Sequence, residues 1–260
     1  MTTIASLAMY TLDELRRPTE QLWEATRQEM PELPPLAPWP GDPHADWTDP
    51  DLVVSMACGW PLVTTLAGIV RVVGTFRFRT PTWTGDHYRS VIIVRDGDEP
   101  AADTGTTAAV NGLDSLSGWV SLVDWSNRTS STDDTSGRRS WPGRVTLTGS
   151  HVASIAAVRS GAADVASIDA VTHAHLCRHR PETVAGTVPI DTGPLVPCLP
   201  LVCPIDRDDD WVDRLRRALD IATGRASAAA EALMIDGFSP LDDSAYAGLA
   251  DLRPDLRPDA

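Results

Sequence analysis

The stretch 107-TAAVNGLDSLSGWVSLV-123 carries three local signals in succession. Thr107 to Val110 is short, small and apolar, as a buried strand is. Asn111, Gly112, Asp114 and Ser115 make a turn, and apolar residues at helical spacing begin near Leu116. A helix that starts after hydroxyls and a glycine leaves backbone N–H groups unpaired above the end of the strand. The turn is therefore a candidate anion cradle. The plainer alternative is an ordinary N-cap by Ser115, since serine is among the residues most favoured there.

A second unit is built the same way. Arg144 to Thr148 reads as a strand, Gly149-Ser150-His151 as a turn, and Val152 to Ser160 as a helix closed by Gly161. Asp164 to Ile168 is the next strand, ending at Asp169. Ligands of open parallel sheets bind beyond the carboxyl ends of the strands, where such turns gather. Ser115, Ser117, Ser150, His151 and Asp169 are thus expected to share one crevice.

The run TGSHVASIAAVRSGAADVASIDAVTHAHL (Thr148 to Leu176), with AVNGLDSLSGW, CGWPL and the closing GFSPLDDSAY, resembles the PhnD-like phosphate/phosphite/phosphonate substrate-binding proteins of ABC transporters. The resemblance runs from about Met9 to Tyr246 and rests on the order of the motifs. It implies an α/β, two-lobe type 2 periplasmic-binding-protein-like fold with two hinge crossovers. Residues 1–91 and 195–260 would form the first lobe and residues 92–194 an inserted second lobe. His87 to Arg95 would be one long crossing strand, with Tyr88 at its start where relatives turn a tyrosine to the ligand. Thr187 to Cys203 would be the return crossover, its four prolines favouring a stiff hinge over a regular central strand. Trp60 falls where relatives often carry an aromatic, whereas Met56 and Ala57 replace their glutamine and threonine. The implied ligand set is Ser115, Ser117, Gly118, Ser150 and His151 as donors, Asp169 as an orienting acceptor, and Tyr10, Trp60 and Tyr88 as walls from the opposite lobe.

Composition narrows the partners. A chain of 260 residues, 42% hydrophobic and 22% charged, is long enough for two cores. The formal charge of −14, without a basic stripe, argues against nucleic acid or an anionic membrane surface. All 22 basic residues are arginine, which removes Schiff-base chemistry, a Walker lysine and a lysine-anchored pyridoxal cofactor. No cofactor is implied. The expected partners are a small anion or zwitterion and, through the resemblance, a transporter permease.

Cys58, Cys177, Cys198 and Cys203 have no zinc spacing and read as free, mostly buried thiols. The segment MTTIASLAMYTLDELRR lacks the cationic start and apolar length of a secretory leader, and no later stretch offers the roughly 20 apolar residues that span a bilayer. As written, the sequence points to the cytoplasm, with a periplasmic or extracytoplasmic placement requiring a longer native start.

Elsewhere, Ile4 to Tyr10 reads as the first strand and Leu12 to Glu29 as a helix interrupted or delayed at Pro18. A proline-rich connection runs from Pro31 to Pro50, with Trp39 and Trp47 as candidate pins. Ser126 to Arg139 reads as a surface loop or helix end, Trp211 to Thr223 and Ala226 to Met234 as helices, and Arg253 to Ala260 as a tail. No catalytic constellation or metal site emerges. Ser150 and His151 are adjacent rather than paired, and His173 and His175, two apart, do not share a helical face. A binding protein is the leading reading, and an intracellular enzyme or ligand sensor on the same scaffold is the alternative.

Overall fold

A computed structural model describes residues 3–39, 42–99, 102–129, 140–252 and 254. In chain order the strands are β1 (Ile4–Ser6), β2 (Leu52–Met56), β3 (Val70–Arg79), β4 (Thr84–Gly85), β5 (His87–Tyr88), β6 (Val91–Arg95), β7 (Thr107–Val110), β8 (Arg144–Leu147), β9 (Val165–Ile168), β10 (Thr187–Thr192), β11 (Val196–Pro197), β12 (Pro200–Pro204) and β13 (Ile235–Ser239). The helices are α1 (Asp13–Glu29), α2 (Pro43–Trp47), α3 (Gly59–Val63), α4 (Ser121–Thr129), α5 (His151–Ser160), α6 (Ala170–His179), α7 (Pro181–Val184), α8 (Asp209–Arg225), α9 (Ser227–Ala232) and α10 (Asp243–Tyr246). A π turn, Leu116–Val120, precedes α4, and a 3-10 turn, Ala247–Leu252, follows α10. The chain divides into two compact units. One holds the residues up to His87 and Pro197–Gly248, and the other holds Tyr88–Val196 and the residues from Leu249 onward.

The first unit is built on a sheet in the order β1-β2-β12-β3-β13, with β4 paired to β3. β1 and β2 are parallel, while β12 runs antiparallel to both β2 and β3. A central strand therefore does form in the proline-rich return segment, with one shift of register against β3 between Leu201 and Val202. Pro200 and Pro204 stand at its two ends, leaving Leu201, Val202 and Cys203 as its fully buried interior. Helix α1 likewise runs through Pro18 instead of breaking there. The proline lies early in the helix, where the only lost bond is the one that would reach Glu14, and the later face buries Leu22, Trp23 and Thr26. β1 ends at Ser6, four residues before Tyr10. The proline-rich connection is pinned by two indoles: Trp23 Nε1 donates to Pro34 O at 2.8 Å and Trp47 Nε1 to Met56 O at 3.0 Å.

The second unit has a sheet of its own, ordered β10-β6-β9-β7-β8. β7 is parallel to both β8 and β9, so the three carboxyl ends lie along one edge. β6 runs antiparallel to β9, placing Val91 opposite Ile168, and β10 ends opposite Val91 at Thr192. The turns after β7, β8 and β9 and the approach to β6 thus all meet that edge. The expected strand from His87 to Arg95 is two pieces, β5 and β6, separated by Arg89 and Ser90. β5 pairs with β11, and these two strands carry the chain out of the first unit and back. Of the expected loop Ser126 to Arg139, residues 126–129 close α4 and residues 130–139 lie outside the described residues, as does most of the tail.

Helix α5 brings His151 to the edge by packing its inner side on β6, β7 and β9. Ile155 and Val158 are fully enclosed in that contact, and Gly161 ends the helix in the left-handed conformation with φ 76°. Replacing Ile155 by Ala removes three carbons from a packed core. We expect a loss of about 2 to 5 kcal/mol, measured by urea unfolding.

Candidate functional site at the carboxyl edge of the second sheet

After β7 the chain enters a tight π turn. Ser115 caps it by accepting from Gly118 N at 3.0 Å, and Ser115 O accepts from both Trp119 N and Val120 N at 3.0 and 3.1 Å. The wider winding leaves Ser117 outside the capping bonds. Ser167 of β9 fixes its backbone by donating to Ser117 O at 2.6 Å. Gly118 lies so close to Asn111 that an added Cβ would overlap Asn111 Oδ1. π turns inside α-helices are often found at functional sites.

After β8, Ser150 caps α5 by accepting from Ala153 N at 3.1 Å, and Thr148 Oγ1 lies 2.7 Å from Ser154 Oγ, closing the turn on itself. His151 is the first residue of that helix. Its Nε2 lies 2.9 Å from Ser117 Oγ, which in turn stands 3.5 Å from Ser115 Oγ. The two strand-to-helix turns singled out in the sequence therefore meet through their side chains. His151 keeps some exposed surface, but its Nδ1 is enclosed and has no hydrogen-bond partner. Burial pulls the imidazole down to about 4, so the ring is neutral near pH 7.

After β9, Asp169 is buried and caps α6, its Oδ1 accepting from Thr172 N at 2.8 Å. Burial raises its carboxyl above the ordinary range, against the opposing effect of hydrogen bonds from Thr172 and from the Tyr88 side chain. Tyr88 is itself buried and precedes β6 at the same edge. The capping alternative thus holds for Ser115, and Ser150 and Asp169 prove to be caps as well, while Ser117 and His151 have no capping role. Each capping serine still has its hydroxyl hydrogen to donate.

Two expected wall residues belong to the first unit. Tyr10 sets its ring edge-on to Phe78 at 5.8 Å, and Trp60 is buried in the first turn of α3. That unit also holds a cavity of about 500 Å³, lined in part by Arg77, Arg79, Glu231, Met234 and Asp236, which contains none of the expected site residues.

The expected ligand set left out three residues in or beside the two turns, of which Asn111 reads from the sequence only as part of the first turn. Ser167 holds the π turn, and Asn111 Oδ1 and the fully buried Trp119 Nε1 are enclosed without hydrogen-bond partners. Asn111 had a readable signal, standing directly after β7, whereas Ser167 looks like any other buried strand serine. Among the described residues no cluster of His, Cys, Asp or Glu is arranged to hold a metal ion. His175 is buried with its ring stacked 6.0 Å from that of His179. None of the four cysteines forms a disulfide, and Cys177 alone of them is exposed.

Two α/β units, each on its own mixed sheet, with helix starts gathered at one sheet edge, define a protein of the type 2 periplasmic-binding-protein fold. Residues 78–246 match the family described as ABC transporter, phosphonate, periplasmic substrate-binding protein, and the chain belongs to that family. No curated protein matches it. Among solved structures it is similar to the binding protein component of an ABC phosphonate transporter from Pseudomonas aeruginosa, at TM-score 0.69 and 15% identity over 97% of this chain and 86% of that one. It is also similar to PhnD1 from Prochlorococcus marinus in complex with methylphosphonate, at TM-score 0.70 and 14% identity over 96% of each chain. A Xanthomonas citri protein bound to chloride ion aligns at TM-score 0.68 and 18% identity over 96% of this chain and 95% of that one. Among the described residues no helix is long and apolar enough to cross a membrane.

The site makes stability depend on pH in a defined direction. His151 in the folded state ionises at about 4 instead of 6.5, so between those values the unfolded chain binds more protons. Stability attributable to His151 therefore falls as the pH drops through that window, by up to about 3 kcal/mol. Asp169 acts in the opposite sense, because its raised carboxyl takes up a proton on folding in acid. We expect His151→Gln to flatten the loss of stability from pH 6.5 to 4 in urea titrations at stepped pH. For Gly118→Ala we expect a loss of about 1 to 3 kcal/mol at pH 7 from the overlap with Asn111, read from the urea midpoint.

Proposed function

We propose that the carboxyl edge of the second sheet binds the anionic head of a small phosphonate-like ligand, for delivery to an ABC transporter permease. The contact between Ser117 and His151 carries this reading, because it draws the first turns of two helical segments onto one point. Each such turn contributes free N–H groups and about half a positive charge. Ser115 and Ser150 and the helix starts at Ser117 and His151 supply donors, Gly118 gives its N–H to Ser115 Oγ and so shapes the turn, Asp169 orients a donor group of the ligand, and Tyr88 packs beside it. An overall acidic chain is no obstacle, since the attraction is local and part-buried.

Compartment separates this reading from an intracellular sensor or enzyme. The family description is periplasmic. Fractionation of cells expressing the native gene decides: recovery beyond the cytoplasmic membrane supports transport, and recovery with the cytoplasm supports the sensor.

Binding itself is tested by melting. A ligand present at about one hundred times its dissociation constant stabilises the folded state by about 2.7 kcal/mol, and roughly 2 to 4 °C accompanies each kcal/mol in a chain of this size. We expect saturating methylphosphonate to raise the melting temperature of the wild type. Ser117→Asp, which places a like charge at the cradle, should abolish that shift. No shift with a panel of small phosphonates, or a shift that survives Ser117→Asp, would show that these serines serve only the backbone.

A further inference from the structure

The cavity of the first unit shares no residue with the sheet edge described above. β3 carries Arg77 and Arg79 two residues apart, so both side chains stand on one face of its sheet. α8 and α9 pack on β13 beside them, and Gly224, Ser227 and Ala230 of those helices form the facing wall. About 500 Å³ lies between, a size that suits a small molecule.

The two guanidinium groups have different partners. Arg79 donates from Nε and Nη2 to Asp236 Oδ1, at 3.2 and 2.5 Å. Arg77 donates instead from Nη1 to Phe238 O and from Nη2 to Asp236 O, both at 3.1 Å. Its partners are main-chain carbonyls, and among the described residues it forms no salt bridge. These bonds leave most of its N–H groups without an acceptor from the described residues.

The main chain holds that group in place. β13 shifts register against β3 between Ile235 and Gly237, and Gly237 has φ 137°, a conformation that glycine adopts without strain. A Cβ added there would overlap the Arg77 guanidinium. Glycine thus admits Arg77 to the cavity, and the carbonyls on either side of Gly237 fix its direction.

A half-buried cation with no carboxylate partner attracts an oxyanion, and a guanidinium suits one that can accept two parallel bonds. The rim limits the charge of that oxyanion. Asp220 and Glu231 are exposed and line the same cavity, so a second negative charge is repelled and an ammonium is drawn in. We propose that this cavity is a second ligand site, which takes a small amino carboxylate, with the carboxylate on Arg77 and the ammonium toward Asp220 and Glu231. Ala230 and Met234 give apolar surface to the methylenes between the two charges.

The experiment follows the Arg77 Nε–H resonance of the nitrogen-15-labelled full chain at pH 6 and constant ionic strength. The probes are 4-aminobutyrate, butyrate and glutarate. 4-Aminobutyrate should shift the resonance saturably, with a dissociation constant of about 1 mM or below. Butyrate, which lacks the ammonium, should bind about fivefold more weakly, and glutarate, with a carboxylate in its place, at least about tenfold more weakly. Replacing both rim acids, Asp220→Asn with Glu231→Gln, changes exposed side chains only and should bring butyrate within about twofold of 4-aminobutyrate. No saturable shift with any of the three probes would overturn the site. Butyrate or glutarate binding as tightly as 4-aminobutyrate, or an unchanged preference in the double variant, would overturn the amino carboxylate as its ligand. None of these outcomes bears on phosphonate binding, which the melting experiment decides separately.

Discussion

The 2.9 Å contact between Ser117 Oγ and His151 Nε2 joins two turns that are 34 residues apart in the chain. It exists because β7 and β8 are parallel neighbours, so that each strand delivers its following turn to the same edge. Were the pair antiparallel, one turn would fall at the far end of the sheet and the serine and histidine would be a strand length apart. Packing holds the contact from both sides: Ile155 and Val158 anchor α5 to the sheet, and Ser167 anchors the π turn through the carbonyl of Ser117. The base of the candidate site is therefore packed from both sides, which would suit a cradle whose donors must point at a ligand without being reorganised by it.

The electrostatics follow from the same geometry. The chain carries a formal charge of −14, yet the edge presents two helix starts, serine hydroxyls and a neutral imidazole, with one acid buried among them. A long-range field set by net charge is screened within about a Debye length, while N–H groups in contact with a ligand are not. For a ligand at this edge, local donors would outweigh the net charge.

Membership in the phosphonate substrate-binding family agrees with this chemistry, and the chain also shows where it departs from its relatives. Met56 and Ala57, both buried, stand at the end of β2 where the family resemblance leads one to expect two polar side chains. Polar recognition among the described residues of the candidate set is thus concentrated in the second unit. Serine and histidine at 2.9 Å also form the start of a nucleophile and base pair, but a third group orienting the imidazole through Nδ1 is missing among the described residues. A ring held neutral down to about pH 4 is, besides, a weak base.

Much of the molecule was legible in the amino-acid order because its signals are local. The strand, turn and helix from Thr107 to Val123, the capping by Ser115, and the glycine stop at Gly161 each depend on residues a few positions apart, whose backbone demands are met within one turn. Local rules misread Pro18 and the prolines of the return segment, because tertiary burial of α1 and β12 outweighs the bonds that proline removes. They also could not pair side chains. Adjacency already excluded Ser150 as the partner of His151, since consecutive residues at a turn point apart, but only the parallel register of β7, β8 and β9 decided that the partner is Ser117 and that the backbone of Ser117 rests on Ser167. The sequence by itself determined the helix starts, the small polar residues at them and the fold class. The tertiary structure alone decided which of those residues meet, because distance between side chains is set by strand order and register, and neither is written in any one stretch of the chain.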